Sequence, residues 1–184
     1  MPLLQTFTQN DFPAALKWQA VSFMRVEWPF IYSGENWLWK ETYPPELNPV
    51  HFTLSEDEVL LSYAATIRRQ LQHAGSSYEL IGFGNVFTFP SVRSQGYGKQ
   101  VVAAATDYIL RGDADVAVLF CSPSLRSFYE KSGWEAFPDA ITRIGAPDRF
   151  TPDPNLRMML FVSERGRRAR AAFTEQPLYI EAPW

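Results

Sequence analysis

An apolar, β-prone run closes with Phe87-Thr88-Phe89-Pro90, crosses Ser91-Val92-Arg93-Ser94-Gln95-Gly96-Tyr97-Gly98-Lys99, and enters Gln100-Val101-Val102-Ala103-Ala104-Ala105. This reads as a strand, a loop with two glycines and a helix start, in that order. Such a unit belongs in a layered α/β architecture, because strand and helix must bury apolar faces against one another. A helix start carries unpaired N–H groups and the positive end of a dipole, so the loop is a ready site for a phosphate-sized anion.

The flanking segments extend the same pattern. Asn10 and Asp11 stand where a helix cap would, Pro13 suits a first turn, and Phe12, Leu16, Ala20 and Phe23 form an apolar stripe ending near Arg25. Residues 26–50 are broken by Pro29, Pro44, Pro45 and Pro49 and have room for one short helix. Strands are expected at 51–54, 59–72 and 78–89, joined by turns of ~4–5 residues into an antiparallel meander, with Gly82 and Gly84 marking a bulge or a close backbone approach in the last. After the loop, a helix should bury Tyr97, Val101, Val102, Ala105, Tyr108 and Ile109 and end at Gly112. Val116 to Cys121 reads as a strand buried on both faces. Ser122 and Pro123 start a short helix over 124–132 that buries Leu125, Phe128 and Tyr129. A strand near Trp134, a proline-rich loop over 145–154 and a last strand over 157–162 complete one domain, 1–184.

Composition narrows the partners. A net charge of −3 gives no basic excess for displacing counterions from nucleic acid. The Arg165-Gly166-Arg167-Arg168-Ala169-Arg170 cluster reads as a solvated surface turn. One cysteine, Cys121, excludes an internal disulfide and fits a reducing compartment; with only His51 and His73 beside it, no metal site is expected. No signal-peptide pattern opens the sequence and no run nears the ~20 apolar residues of a membrane span, so a cytoplasmic setting without membrane contact is expected.

Of the glycine-rich phosphate loops, two fit poorly. A nucleotide-hydrolysing loop needs a glycine where Arg93 stands and a Ser or Thr where Gln100 stands. A dinucleotide loop needs a third glycine at Val101. Meander, Arg93-x-x-Gly96-x-Gly98, helix, buried strand, a Ser-Pro cap and then Tyr129-Glu130-Lys131-Ser132-Gly133-Trp134 resembles the GNAT N-acetyltransferase superfamily over roughly residues 78–137. The resemblance implies a mixed, mostly antiparallel sheet with helices on both faces and a splayed cofactor cleft. It also implies acetyl transfer from acetyl-CoA to the primary amine of a small molecule. The pyrophosphate would rest on Arg93, Ser94, Gln95, Gly96, Tyr97, Gly98 and Lys99, with Ser122 nearby. The backbone of Val86, Phe87 and Thr88 would pair with the pantetheine arm. Homodimerisation is left open.

The same resemblance implies Tyr129 as the acid that protonates the leaving sulfur. Many members carry a glutamate base five residues before the loop proline. Here Asn85 stands in that place, and a carboxamide takes no proton, so it is assigned the positioning of water. Glu27, Glu35, Glu41 and Glu79 read as surface carboxylates, and Cys121 as a poor nucleophile. The aromatic segment 28–43 offers Trp28 and Trp37 to an acceptor, or else packs in the core. A narrower similarity, to aminoglycoside 2′-N-acetyltransferases, rests on Arg111-Gly112, Ser122-Pro123-Ser124, Thr151-Pro152-Asp153-Pro154 and Trp184, and adds Glu181 and Trp184 to the acceptor side. The competing reading is a non-catalytic acyl-CoA sensor, which the carboxamide at position 85 favours and Tyr129 disfavours.

Overall fold

The computed structural model describes residues 1–146, 148–182 and 184. Its strands are β1 (Leu3–Thr8), β2 (Val50–Glu56), β3 (Val59–His73), β4 (Ser76–Thr88), β5 (Val116–Cys121), β6 (Glu135–Phe137), β7 (Thr142–Ile144), β8 (Thr151–Pro152), β9 (Leu156–Phe161) and β10 (Leu178–Ile180). Its α-helices are α1 (Ala14–Glu27), α2 (Tyr97–Arg111), α3 (Arg126–Glu130), α4 (Glu164–Arg168) and α5 (Arg170–Glu175). Hydrogen-bonded neighbours run β1–β2–β3–β4–β5–β9–β6 in a mixed seven-stranded sheet, and β10–β7–β8 in a second of three. Met1–Ile67 with Asn85–Ala105 form one compact unit, and Arg68–Gly84 with Thr106–Trp184 another.

In the first unit β1, β2 and β3 pair antiparallel. The β2–β3 turn is shorter than expected: Asp57 and Glu58 take φ of 49° and 63°, the two-residue geometry whose twist matches a hairpin, so the strands run further into it. β1 had no sequence signal, since its alternation is blurred by Leu3 and Leu4, both exposed on this edge strand. Helix α1 buries Leu16, Ala20, Val21 and Met24, and Pro13 takes the cap position without a side-chain bond. Asp11 instead accepts the Thr8 hydroxyl at 2.6 Å. The short helix expected within 26–50 is replaced by 3-10 turns at Pro29–Tyr32, Gly34–Asn36 and Pro45–Leu47, because proline lacks the N–H that continues a helix.

In the second unit β4 runs parallel to β5, with registered pairs only from Leu80–Val116 to Gly82–Val118, and β5 runs antiparallel to β9 over its whole length. Side chains alternate across the sheet. Leu80, Val116, Val118 and Met159 pack with Phe173 of α5 and with Leu178 and Ile180 of β10. On the opposite face Phe83 stacks on Trp134 at 5.5 Å, and the Trp134 indole donates to Thr106 of α2 at 3.0 Å. Tyr108, expected on the buried face of α2, is 40% exposed, and Thr106 is buried in its place as the indole's partner.

Three other expectations change here. Pro123–Leu125 is a 3-10 turn that delays the α-helix to Arg126 and turns Leu125 outward. The arginine-rich cluster is helical: Ser163 accepts the Gly166 N–H at 3.0 Å and opens α4. β9 is not the last strand, since α4, α5 and β10 follow, and the proline-rich loop contains β8. Gly166 is required by packing, because a Cβ there would lie 2.0 Å from the Asp115 carbonyl oxygen. Asp115 also accepts from the Ser163 hydroxyl at 2.6 Å and from the Glu79 N–H at 3.0 Å, tying α4 to the start of β4.

Candidate functional site

The loop after β4 is shaped by its backbone. Pro90–Val92 form a 3-10 turn, then Ser94 and Gly96 take φ of 66° and 79°. A Cβ at Gly96 would meet nothing within 4 Å, so the left-handed φ, and not crowding, calls for glycine. Gln100 N–H donates to Gly96 O at 3.2 Å and closes the first helical turn. The N–H groups of Tyr97, Gly98 and Lys99 therefore start α2 with no carbonyl one turn behind them in the helix. Gly98 lies inside the helix with ordinary φ. Arg93 donates from Nε to the Thr88 carbonyl at 3.0 Å, anchoring the loop to the end of β4. Ser94, Gln95 and Lys99 are exposed.

On β4, the left-handed residue is Asn85, with φ of 52°, and not Gly82 or Gly84. Asparagine tolerates this region better than most residues. Phe87 is buried and its carbonyl accepts the Ser62 hydroxyl at 2.8 Å, while Val86 and Thr88 are half-buried.

Behind Asn85 lies a buried polar chain. Asn85 Nδ2 donates to the Thr42 carbonyl at 3.1 Å, which leaves Oδ1 as the atom able to receive an N–H. The Tyr63 hydroxyl lies 3.0 Å from Thr42 Oγ1 and 2.7 Å from His51 Nδ1. His51 Nε2 faces Gln9 Oε1 at 2.9 Å, and Gln9 Nε2 donates to Glu41 at 3.0 Å. That bond orients the Gln9 amide, so His51 carries its proton on Nε2 and donates it to Gln9 Oε1. Burial, and then the charge of Lys17, push the His51 pKa down to about 3, keeping the ring neutral. Glu41 is no free surface carboxylate: it is half-buried and paired with Lys17 at 2.9 Å. Glu27 and Glu35 are exposed.

The first unit also has a groove of about 470 Å³ lined by Trp18, Gln19, Ser22, Phe23, Val26 and Phe89. It was not anticipated, although Trp18, Ser22 and Val26 recur at i, i+4 and i+8 on the exposed side of α1. Trp28 meets the Phe87 ring edge-on at 6.5 Å, whereas Trp37 is 63% exposed. Segment 28–43 is divided: Tyr32 and Tyr43 are core, Phe30 and Trp37 face outward.

In the second unit Tyr129 is buried on α3, its ring edge-on to Phe83 at 6.4 Å. Burial, reinforced by Cys121, pushes its phenol well above the ordinary value, so the hydroxyl stays protonated. Burial likewise pushes the Cys121 thiol up to about 11, leaving it a poor nucleophile. Ser122 is exposed and caps the turn at Pro123 by accepting the Ser124 N–H at 3.4 Å. Trp184 packs on Phe120 at 5.4 Å, and its indole donates to the Val118 carbonyl at 3.1 Å. Glu181 is exposed. Among the described residues, no three His, Cys, Asp or Glu side chains gather as a metal cage, and no helix is long and apolar enough to cross a membrane.

A family model described as an acetyltransferase (GNAT) domain matches residues 4–137. No curated protein matches the chain. Among solved structures, an acyl-CoA N-acyltransferase from Pseudomonas aeruginosa is 17% identical with a TM-score of 0.54, covering 86% of this chain and 99% of that one. The GNAT family N-acetyltransferase YhbS from Escherichia coli, solved with CoA, is 14% identical with a TM-score of 0.58, covering 98% and 88%. An aminoglycoside 6′-N-acetyltransferase complexed with coenzyme A is 13% identical with a TM-score of 0.59, covering 89% and 98%. At these identities the likeness is one of fold.

Proposed function

The chain belongs to the GNAT acetyltransferase domain family, and on that premise we propose that it transfers an acetyl group from acetyl-CoA to the primary amine of a small molecule. The observation that carries this reading is the loop at the start of α2. A left-handed Gly96 with open space at its Cβ, followed by the N–H groups of Tyr97, Gly98 and Lys99, fits a pyrophosphate. When bound, the cofactor supplies an activated thioester. Arg93 holds the loop to Thr88, while Ser94, Gln95 and Lys99 present polar groups from its exposed side. Val86, Phe87 and Thr88 border the pantetheine arm, and Ser122 shapes the turn that leads to Tyr129.

Tyr129 is the acid. Its buried phenol keeps its proton until the leaving sulfur needs it. Asn85 holds a water or the acceptor itself through Oδ1. Trp28 is the better placed of the two early tryptophans for the acceptor, since Trp37 stands in solvent. Glu181 and Trp184 are weaker candidates, because the Trp184 indole already serves the core. Residues 1–184 are taken as one catalytic domain in a cytoplasmic setting, and aminoglycosides are among the amines to be tried.

A non-catalytic acyl-CoA sensor is the second reading, and the carboxamide at position 85 favours it. Calorimetry with CoA and a thiol-release assay over an amine panel separate the two: binding with turnover supports the enzyme, and binding without turnover of any amine supports the sensor. Tyr129→Phe should lower kcat by about 10²-fold with CoA affinity kept. Full turnover in that variant would remove the acid role.

A further inference from the structure

Two features of the first unit bear on which amine is used, and the inference rests on the acetyltransferase reading above. The first is the groove beside α1. Trp18, Ser22, Phe23 and Val26 from the helix meet Phe89 from the end of β4, and among the described residues no carboxylate lines it. Ring contacts continue from it along β4: Phe89 lies edge-on to Phe23 at 5.0 Å, and Phe23 stacks on Phe87 at 4.2 Å. Phe87 is two residues from Asn85. From Phe89 to Asn85 is four residues of strand, ~13 Å. A polycationic sugar would find no opposite charge in this lining and would lose its hydration there. A flat, elongated apolar body would find aromatic faces along the way.

The second feature is a proton balance. When a neutral amine attacks, the C–N bond forms and the C–S bond breaks. The proton lost by nitrogen then equals the proton gained by sulfur, so no further acceptor is needed. An ammonium must shed one more proton first. The titratable groups of the polar chain that reaches Asn85 through Thr42 are Tyr63 of β3, His51 of β2 and Glu41, with Lys17 of α1 paired to Glu41. Glu41 is held by Lys17 and Gln9, and His51 Nδ1 by the Tyr63 hydroxyl. Asn85 is a carboxamide. Asn85 therefore presents a hydrogen-bond acceptor to the nitrogen, and the bases of the chain behind it are already engaged.

We propose that the acceptor is an elongated, weakly basic aromatic amine whose ring system lies along the Trp18–Phe89 groove and whose nitrogen is oriented by Asn85 Oδ1. Delocalisation into the ring keeps such a nitrogen neutral at pH 7. An alkylamine near the lysine value of ~10.4 is neutral in only ~10⁻³ of molecules there.

A matched pair of probes tests this, with acetyl-CoA and thiol release. 4-Aminobiphenyl should be acetylated with kcat/KM flat between pH 6 and 9. 4-(Aminomethyl)biphenyl, the same body on a basic nitrogen, should start ~10²-fold lower at pH 7 and rise tenfold per pH unit until its own ammonium titrates. Trp18→Ala should raise KM for 4-aminobiphenyl at least tenfold while CoA affinity by calorimetry stays unchanged. Asn85→Asp should give the aminomethyl probe a new carboxylate limb in its pH profile. Faster turnover of kanamycin than of 4-aminobiphenyl, a flat profile for the aminomethyl probe, or an unchanged KM in Trp18→Ala would overturn the inference while leaving the acetyltransferase standing. No CoA binding at all would overturn both.

Discussion

Replacing His51 by glutamine should flatten the acid limb of this protein's stability curve. The ring is fully buried and stacked on Phe12 at 4.2 Å, and both nitrogens are committed, Nδ1 to Tyr63 and Nε2 to Gln9. Desolvation first, and the Lys17 charge second, lower its pKa from 6.5 to about 3. The unfolded chain therefore takes up a proton below pH ~6.5 that the folded protein refuses until about pH 3. The stability this neutral histidine confers is complete above pH ~6.5 and is lost as the pH falls through that window. At 1.36 kcal/mol per pH unit the whole loss is ~5 kcal/mol, of which ~2 kcal/mol is gone by pH 5. Urea unfolding of the wild type and of His51→Gln at pH 7.5 and pH 5.0 isolates it. The carboxylates and His73, whose burial also lowers its pKa, act equally in both proteins and cancel in the double difference. That difference should be ~2 kcal/mol. A 15N spectrum of the histidines at pH 5 should show His51 neutral with its proton on Nε2. Equal acid losses in the two proteins, or an imidazole titrating near pH 6.5, would refute the reasoning.

Gly166→Ala should cost ~3 kcal/mol or more in urea unfolding, because the added Cβ would lie 2.0 Å from a backbone carbonyl that cannot yield; a loss below ~1 kcal/mol would show that α4 moves freely. Trp134→Phe removes a buried indole and its bond to Thr106, and should lower stability by ~2–3 kcal/mol in the same assay. Gly96→Ala should cost only ~1 kcal/mol, the penalty of a left-handed alanine, since its Cβ reaches open space; a much larger loss would mean that the loop is packed more tightly than its geometry indicates.

Local chemistry carried the α/β class and the loop. β-Prone runs bounded by turn residues marked β2, β3 and β4, an unbroken apolar run marked β5, and the step from strand to alanine-rich helix marked the start of α2. The two loop glycines were legible from their spacing, whereas the left-handed φ that calls for glycine at position 96 is read only from the structure. Less was legible where sequence patterns compete. β1 lies at an edge and needs no strict alternation. Pro123 produced a 3-10 turn in place of an α-helical one, which turned Leu125 outward. Arg165 to Arg170 looked like a solvated turn because its serine cap and its contact with Asp115 come from packing.

The candidate site divides along the same line. The order of residues along β4 set Asn85 five positions before Pro90 and fixed the spacing from the loop to Tyr129. Those are one-dimensional facts, written in the chain. Only the tertiary structure brought Thr42, Tyr63, His51 and Gln9 behind Asn85, since these residues lie up to 76 positions from it in the sequence and are joined by hydrogen bonds that no local pattern encodes. The groove between α1 and Phe89 arose in the same way. Propensity and periodicity act over a few residues, whereas a polar chain or an apolar groove exists only once distant elements have closed on one another.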